Sequence, residues 1–299
     1  MYSTNNSTTT DVGHAKATVL AASIVNDCKL VTWELVYPRF IHSELMTHRM
    51  FSRNASSSRA TPVMRTLEEV HENPAFFDFV GVNKPGMVAD EPLDSEKLER
   101  FHKEWVELGR YVAERVLGWY ELLDIHKQTL NRALEPWMYI RTIVTATDTD
   151  NFFKLRLAPD AQPEIRSLAM AMKQSLEKAE FVEQPLHAPY AEYFEEEDLT
   201  RRIVRSVAAC ARVSVMRGDE RKTTYEEDLA LVKRLYKSGH MSPFEHVAYA
   251  TLDFEYHDNF WGWVSLRRVL EEREGLIWTG LDPVAYLLKK EADHGASVD

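Results

Sequence analysis

Two apolar runs stand near the start of the chain, Thr18–Val25 and Leu30–Tyr37, with the polar pair Asn26-Asp27 between them. Short runs rich in β-branched and aromatic residues predict a strand, a tight turn and a second strand. Pro38 follows, and proline suits a first helical turn, so a helix is expected from there to Phe51. Leu98, Phe101, Trp105, Leu108, Val112, Trp119 and Leu122 recur at three-, four- and seven-residue intervals. That periodicity predicts one long amphipathic helix whose aromatics serve a core rather than a cofactor. Thr142–Thr147 is β-branched and strand-like. Asp160 is placed to cap a helix running to about Lys178, with Pro163 in its first turn. Thr224-Tyr-Glu-Glu227 has capping-box spacing, and Gly239 is expected to close that helix. Phe260–Arg273 reads as a last helix.

Between these elements the chain is polar. Residues 1–13 and 290–299 read as loose tails around a single domain, 14–289, and a Pro-, Gly- and acid-bearing surface excursion is expected at about 66–97. The acidic stretch 192–198 reads as a solvated face or a linker. With 299 residues, 44% of them hydrophobic, the chain can bury a sizeable core.

Charge narrows the function. A formal charge of -11 argues against a protein that coats nucleic acid, which needs a broad basic face. Only two cysteines occur, Cys28 and Cys210, so neither a disulfide framework nor a thiolate metal site is expected. No apolar run is long enough to span a membrane, and the polar stretch Ser3–Thr10 does not resemble a signal peptide. The expectation is a soluble cytoplasmic protein.

Against that acidic background, residues 39–65 carry five arginines and one glutamate. Within them Arg49, Arg53 and Arg59, with His48, alternate with Ser52, Asn54, Ser56, Ser57 and Ser58. Guanidinium forks and small hydroxyls suit a phosphate or a carboxylate. An Arg- and Ser-rich surface loop without a ligand explains the stretch equally well. Two further stretches carry chemistry. Gly239-His-Met-Ser-Pro-Phe-Glu-His246 places two histidines and a glutamate around a Ser-Pro turn, without the His-Glu-x-x-His spacing of a zinc helix. Asn151-Phe-Phe-Lys-Leu-Arg156 sets an amide and a guanidinium beside two aromatic rings, which suits a heterocycle edge. A strand-to-helix junction with a salt bridge to Glu164 accounts for it too. No metal is expected. Neither a Gly-x-Ser-x-Gly elbow nor a Gly-rich phosphate loop is present.

Together the three stretches resemble the flavin-dependent thymidylate synthase family, ThyX, whose signature reads Arg-His-Arg-x-x-Ser-x-Asn-Glu-x-Ser-x-Arg-Tyr. His48, Arg49, Ser52, Asn54, Ser57 and Arg59 stand in register with it. Asn151–Arg156, followed by Ala161-Gln162-Pro-Glu164-Ile165, resembles the family's later Asn-Phe-x-x-Leu-Arg and Ala-Gln-x-Glu-Ile elements. Ala211-Arg-Val-Ser214 and Ser242–His246 resemble its N-terminal portion, which here comes last, as in a circularly permuted, phage-type member. The chain departs from the signature at Thr47, Ala55 and Ala60, and carries Glu44 and Asp160 where glutamine and histidine are usual.

The resemblance implies an α/β (α+β) fold, an antiparallel-rich mixed sheet flanked by helices, assembled as a homotetramer with active sites between subunits. It implies reductive methylation of dUMP at C5, with methylenetetrahydrofolate as carbon donor, FAD as redox cofactor, NADPH as reductant and no cysteine nucleophile on the pyrimidine. His48, Arg49, Arg132, Asn151, Ser214 and His246 match flavin-contacting positions. Glu44, Ser57, Ser58, Arg59 and Arg156 match nucleotide-binding positions, with Ser57, Arg59 and Arg156 acting on the reacting base. The departures leave two alternatives: the same chemistry on dCMP or giving a hydroxymethyl product, or a non-catalytic nucleotide-binding or assembly protein.

Overall fold

A computed structural model of the chain describes residues 8–191, 198–214, 223–251 and 254–272. The expected strand pair is present and longer than its apolar runs: β2 (Ala15–Val25) and β3 (Cys28–Pro38) join through Asn26 and Asp27. Both turn residues have positive φ, 48° and 64°, the hand of a two-residue hairpin turn that matches strand twist. β1 (Thr9–Val12) pairs antiparallel with β2, so residues 9–12 of the expected N-terminal tail are a strand.

Chain order then gives α1 (His42–Met46), β4 (Ser52–Ala55), α2 (Val63–Glu72), α3 (Ser95–Leu123), α4 (Lys127–Leu130) and β5 (Tyr139–Ala146). α5 (Asp150–Arg156), α6 (Pro163–Glu177), β6 (Val182–Glu183), β7 (Leu186–His187) and α7 (Leu199–Ala211) follow. The described chain closes with α8 (Tyr225–Lys237), β8 (Ala248–Ala250), β9 (Tyr256–His257), β10 (Phe260–Trp261), β11 (Trp263–Ser265) and α9 (Leu266–Glu272).

The main sheet runs β1-β2-β3-β5-β4, antiparallel throughout, with β6 parallel to β2; β7, β8 and β11 make a second antiparallel sheet. The fold is therefore mixed α/β with antiparallel sheets and flanking helices. Strand alternation sorts side chains onto two faces. Val31, Trp33, Leu35 and Tyr37 of β3 join Val144, Phe51, Phe152 and the α6 residues Ile165 and Leu168 in one core. On the other face Leu30 meets Ala248, Phe260 and Trp263, while Leu20 and Ile143 meet Tyr190, Cys210 and Val213. A third cluster holds α2 and α3 together through Val70, Val116 and Trp137.

Several expectations need correction. The helix expected from Pro38 to Phe51 is a 3-10 turn (Arg39–Ile41) plus the five-residue α1. Ser52–Ala55, expected as loop, is edge strand β4, held by its ladder with β5 rather than by apolar pattern. α2 occupies the first part of the expected surface excursion. On α3, Leu108, Trp119 and Leu122 are exposed rather than core. Gln162, not Asp160, is the N-cap of α6. Phe260–Trp261 and Trp263–Ser265 are strands, and the last described helix begins at Leu266. The capping box at Thr224 and Glu227 is formed, and Gly239 has φ 72°. Residues 192–197, Arg273 and the tail 290–299 lie outside the described residues. No helix among the described residues is long and apolar enough to cross a membrane.

Candidate functional site

The basic stretch divides around β4. Before it, α1 leads to His48, whose ring lies edge-on to Phe152 of α5 at 4.8 Å between centroids. Arg156, at the end of α5, donates from Nε to His48 Nε2 at 2.9 Å. Its Nη2 reaches Thr47 Oγ1 at 3.1 Å and the Glu44 carbonyl at 3.4 Å. Since His48 Nε2 accepts, its proton sits on Nδ1. Burial, then the Arg156 and Arg53 charges, hold the His48 pKa below the usual histidine range, so the ring is neutral. Arg49 and Asn151 are exposed nearby in sequence to this pair, as are the apolar side chains Met46, Met50 and Leu155. The salt bridge from Arg156 to Glu164 is not formed: Glu164 is buried and accepts from the Asp78 N–H at 3.1 Å.

Arg53 belongs to the scaffold. Its Nη1 donates to the carbonyls of Met46 (2.8 Å), His48 (3.1 Å) and Leu45 (3.4 Å), closing the C-terminal end of α1. The anion-loop reading of the sequence therefore loses one of its cations to backbone capping.

Beyond β4 a second cluster forms. Ser57 N–H donates to Ser214 Oγ at 2.9 Å, and Asn54 Nδ2 donates to the Cys210 carbonyl at 2.7 Å. Ser242, in the Ser-Pro turn, donates to Asn54 Oδ1 at 3.4 Å, so three sequence-distant stretches converge here. Ser58 is buried and donates to Glu135 Oε1 at 2.7 Å; Arg132 and Arg39 reach the same oxygen at 2.9 and 3.1 Å. Buried Asn131 ties the loop down by donating to the Ser58 and Thr61 carbonyls. Arg59 is exposed. A cavity of about 480 Å³ opens beside Ser56, Ser57, Ser58 and Ser214, with Trp137 and Met138 on its apolar wall.

The two clusters are separate within one chain. β4 alone spans four residues, roughly 13 Å at the usual strand rise. They also lie on opposite faces: Phe51 and Phe152 pack in the core under α6, whereas Cys210 and Val213 pack on the other side.

His246 is fully buried, with Nδ1 at 2.8 Å from Thr145 Oγ1. From Thr145 a hydrogen-bonded chain continues through Thr32 and His187 to Ser23. Enclosed this way, His246 keeps its Nε2 buried without a hydrogen-bond partner among the described residues. The other two ionisable groups of that stretch are also accounted for: His240 Nδ1 bonds Ser238 Oγ, and Glu245 accepts from Arg267.

Sequence reasoning missed Glu135, Asn131 and Arg39, although Glu135 stands three residues after Arg132, a helical neighbour spacing that hints at the pair. It also missed Arg141, held by Glu34, which Tyr190 also binds.

A family model for thymidylate synthase complementing protein (Thy1) matches residues 22–180. That span includes both clusters' arginines but not Ser214 or His246. No curated protein matches the chain in sequence. Among solved structures, a ThyX from Helicobacter pylori with FAD and dUMP is 20% identical, over 49% of this chain and 67% of that one, at a TM-score of 0.34. A UMP/dUMP methylase, PolB from Streptomyces cacaoi bound with 5-Br UMP, is 18% identical, over 55% of this chain and 89% of its own, at a TM-score of 0.41.

Proposed function

The chain belongs to the thymidylate synthase complementing protein (Thy1) family, and from that premise we propose that it methylates dUMP at C5 to give dTMP. In this reading methylenetetrahydrofolate supplies the carbon, FAD the redox chemistry and NADPH the electrons. The observation that carries it is the pair of basic half-sites at the two ends of β4, both inside the family-matched span.

The donor set at His48 suits a flat ring with an anionic tail. His48 presents Nδ1–H, Arg49 is exposed, and Met46, Met50 and Leu155 offer apolar surface. FAD held there would carry the reducing equivalents, which the protein itself cannot. The chain's own residues bind, orient and polarise. Arg156 is fixed through Nε and Nη2, leaving Nη1 to polarise a carbonyl of the base. Ser57 and Arg59 are the nucleotide donors of the opposite half-site, and the clamp on Glu135 fixes Ser58 and Arg132 beside them.

Because one chain holds the halves on opposite sheet faces, a complete site takes the His48–Arg156 half from one copy and the Ser57–Arg59 half from another. The separation of the halves supports a homo-oligomer, which family resemblance makes a tetramer. The alternatives, dCMP as substrate or a hydroxymethyl product, are favoured by Ala55 and Glu44 standing where the signature has glutamate and glutamine.

Flavin retention tests the reading first. Purified protein, or protein reconstituted with FAD, is expected to be yellow and to bleach on NADPH addition only when flavin is bound. Protein that stays colourless after reconstitution, and binds no pyrimidine nucleotide, contradicts it.

A further inference from the structure

The family-matched span begins at residue 22, yet the β1–β2 hairpin, which precedes it apart from the end of β2, forms one wall of the 480 Å³ cavity. The hairpin is pinned there. Gly13, at its turn, has φ +53°, which disfavours a side chain, and a Cβ on it would meet Asp78 Oδ1 at 2.4 Å and displace that carboxylate. His14 N–H donates to the same Asp78 oxygen at 2.8 Å, and the Tyr139 hydroxyl lies 3.2 Å from His14 Nδ1.

Ladder registry sets the rest. Lys16 stands opposite Val36, and Val36 opposite Arg141, so the three form one cross-strand row under the cavity. Arg141 is paired with Glu34, and Arg39 shares Glu135 with Arg132. Lys16 is exposed, and among the described residues no carboxylate lies within ion-pair distance of it, although Asp11 faces it across the ladder. Glu69 and Glu72 also line the cavity, and Glu69 is engaged by Arg65 at 3.4 Å. Lys16 is thus the one lysine or arginine lining this cavity, among the described residues, that has no carboxylate within ion-pair distance, with Asp11 and Glu72 as the nearest unpaired acids of the wall.

We propose that Lys16, with His14 beside it, is a ligand-contacting residue that takes a nucleotide phosphate. The serine hydroxyls at 56–58 and 214 form the polar rim, and Trp137 and Met138 form the apolar wall for the attached ring. The phosphate is that of the pyrimidine nucleotide or of FAD; the chemistry recognised is the same. The inference rests on the nucleotide-binding reading above, and it assigns the hairpin, which family membership does not reach, a role in affinity.

The test compares wild type, Lys16→Met and Lys16→Arg. Affinities are measured by calorimetry for dUMP and deoxyuridine, and by fluorescence for FAD and riboflavin. Lys16→Met is expected to weaken dUMP or FAD about tenfold and leave the phosphate-free counterpart within twofold, since one charge-assisted contact is lost. Lys16→Arg is expected to keep most of the affinity. Which of the two phosphate ligands responds identifies the occupant. Losses under twofold for both, or equal losses for deoxyuridine and riboflavin, overturn the proposal. Lys16 is exposed, so an unchanged melting temperature is expected and confirms that the fold is intact. Wild type that binds neither dUMP nor FAD sinks the parent reading as well; normal wild-type binding with an unaffected Lys16→Met sinks the role of Lys16 alone.

Discussion

Arg156 Nε donates to His48 Nε2 at 2.9 Å, joining the end of α5 to the segment that enters β4. The bond exists only while His48 is neutral, because an imidazolium has no acceptor. Burial and two guanidinium charges depress the His48 pKa, so the neutral form is retained at pH 6.5 and above. As pH falls through the lowered pKa the acceptor is lost and Arg156 is released. Nucleotide affinity is expected to be flat above pH 6.5 and to fall below it. Nitrogen-15 NMR of His48 should report an Nδ1–H tautomer; an Nε2–H tautomer would contradict the geometry.

Arg156→Ala is expected to weaken nucleotide binding by more than tenfold while reducing flavin retention far less, because its free Nη1 is assigned to the base. Parallel titrations with dUMP and FAD separate the two. Equal losses would reassign Arg156 to general support of the half-site.

Arg53 and Arg49 should separate structure from binding. Arg53→Ala removes a donor from three carbonyls at the end of α1, of which Leu45 and His48 keep backbone N–H donors while Met46 does not, and is expected to cost about 1–3 kcal/mol in urea unfolding. Arg49 is exposed, so Arg49→Ala is expected to change stability by less than about 0.5 kcal/mol and to reduce flavin retention instead. The reverse pattern would exchange their roles.

Acid should unfold the protein through its buried histidines. Burial lowers His187 and His246 to about 3, far below the ordinary 6.5 of the unfolded chain. Between those values the unfolded state binds protons that the folded state refuses. Stability is therefore full above pH 6.5 and falls with pH towards 3, by up to about 1.4 kcal/mol per pH unit for each histidine. Urea titrations from pH 7 to pH 4 measure the slope. His187→Gln should flatten it; an unchanged slope would show that other groups dominate.

The hairpin at Asn26-Asp27, the long α3 and the capping box of α8 were legible because each is set by local rules: turn dihedrals, period and end chemistry. The stripe of α3 was legible as a stripe, but period alone does not say which neighbour covers it, and Trp119 and Leu122 are exposed. β4 was not legible, since Ser-Arg-Asn-Ala has no strand pattern and is strand only through its ladder with β5. At the site, the motifs pointed to His48, Arg49, Ser57, Arg59 and Arg156. Their division between two sheet faces came from topology, which one-dimensional spacing does not encode. Arg53 illustrates the limit: its composition fits an anion loop, and its geometry makes it a helix cap.

The most direct test of the central claim is product identification. Protein is incubated with FAD, NADPH, methylenetetrahydrofolate and either dUMP or dCMP, and the nucleotide is analysed by mass spectrometry. The account predicts conversion of dUMP to dTMP, a mass gain of one methylene unit, with dCMP unchanged. A 5-substituted dCMP as the only product, or no product from either nucleotide despite bound flavin, would contradict it.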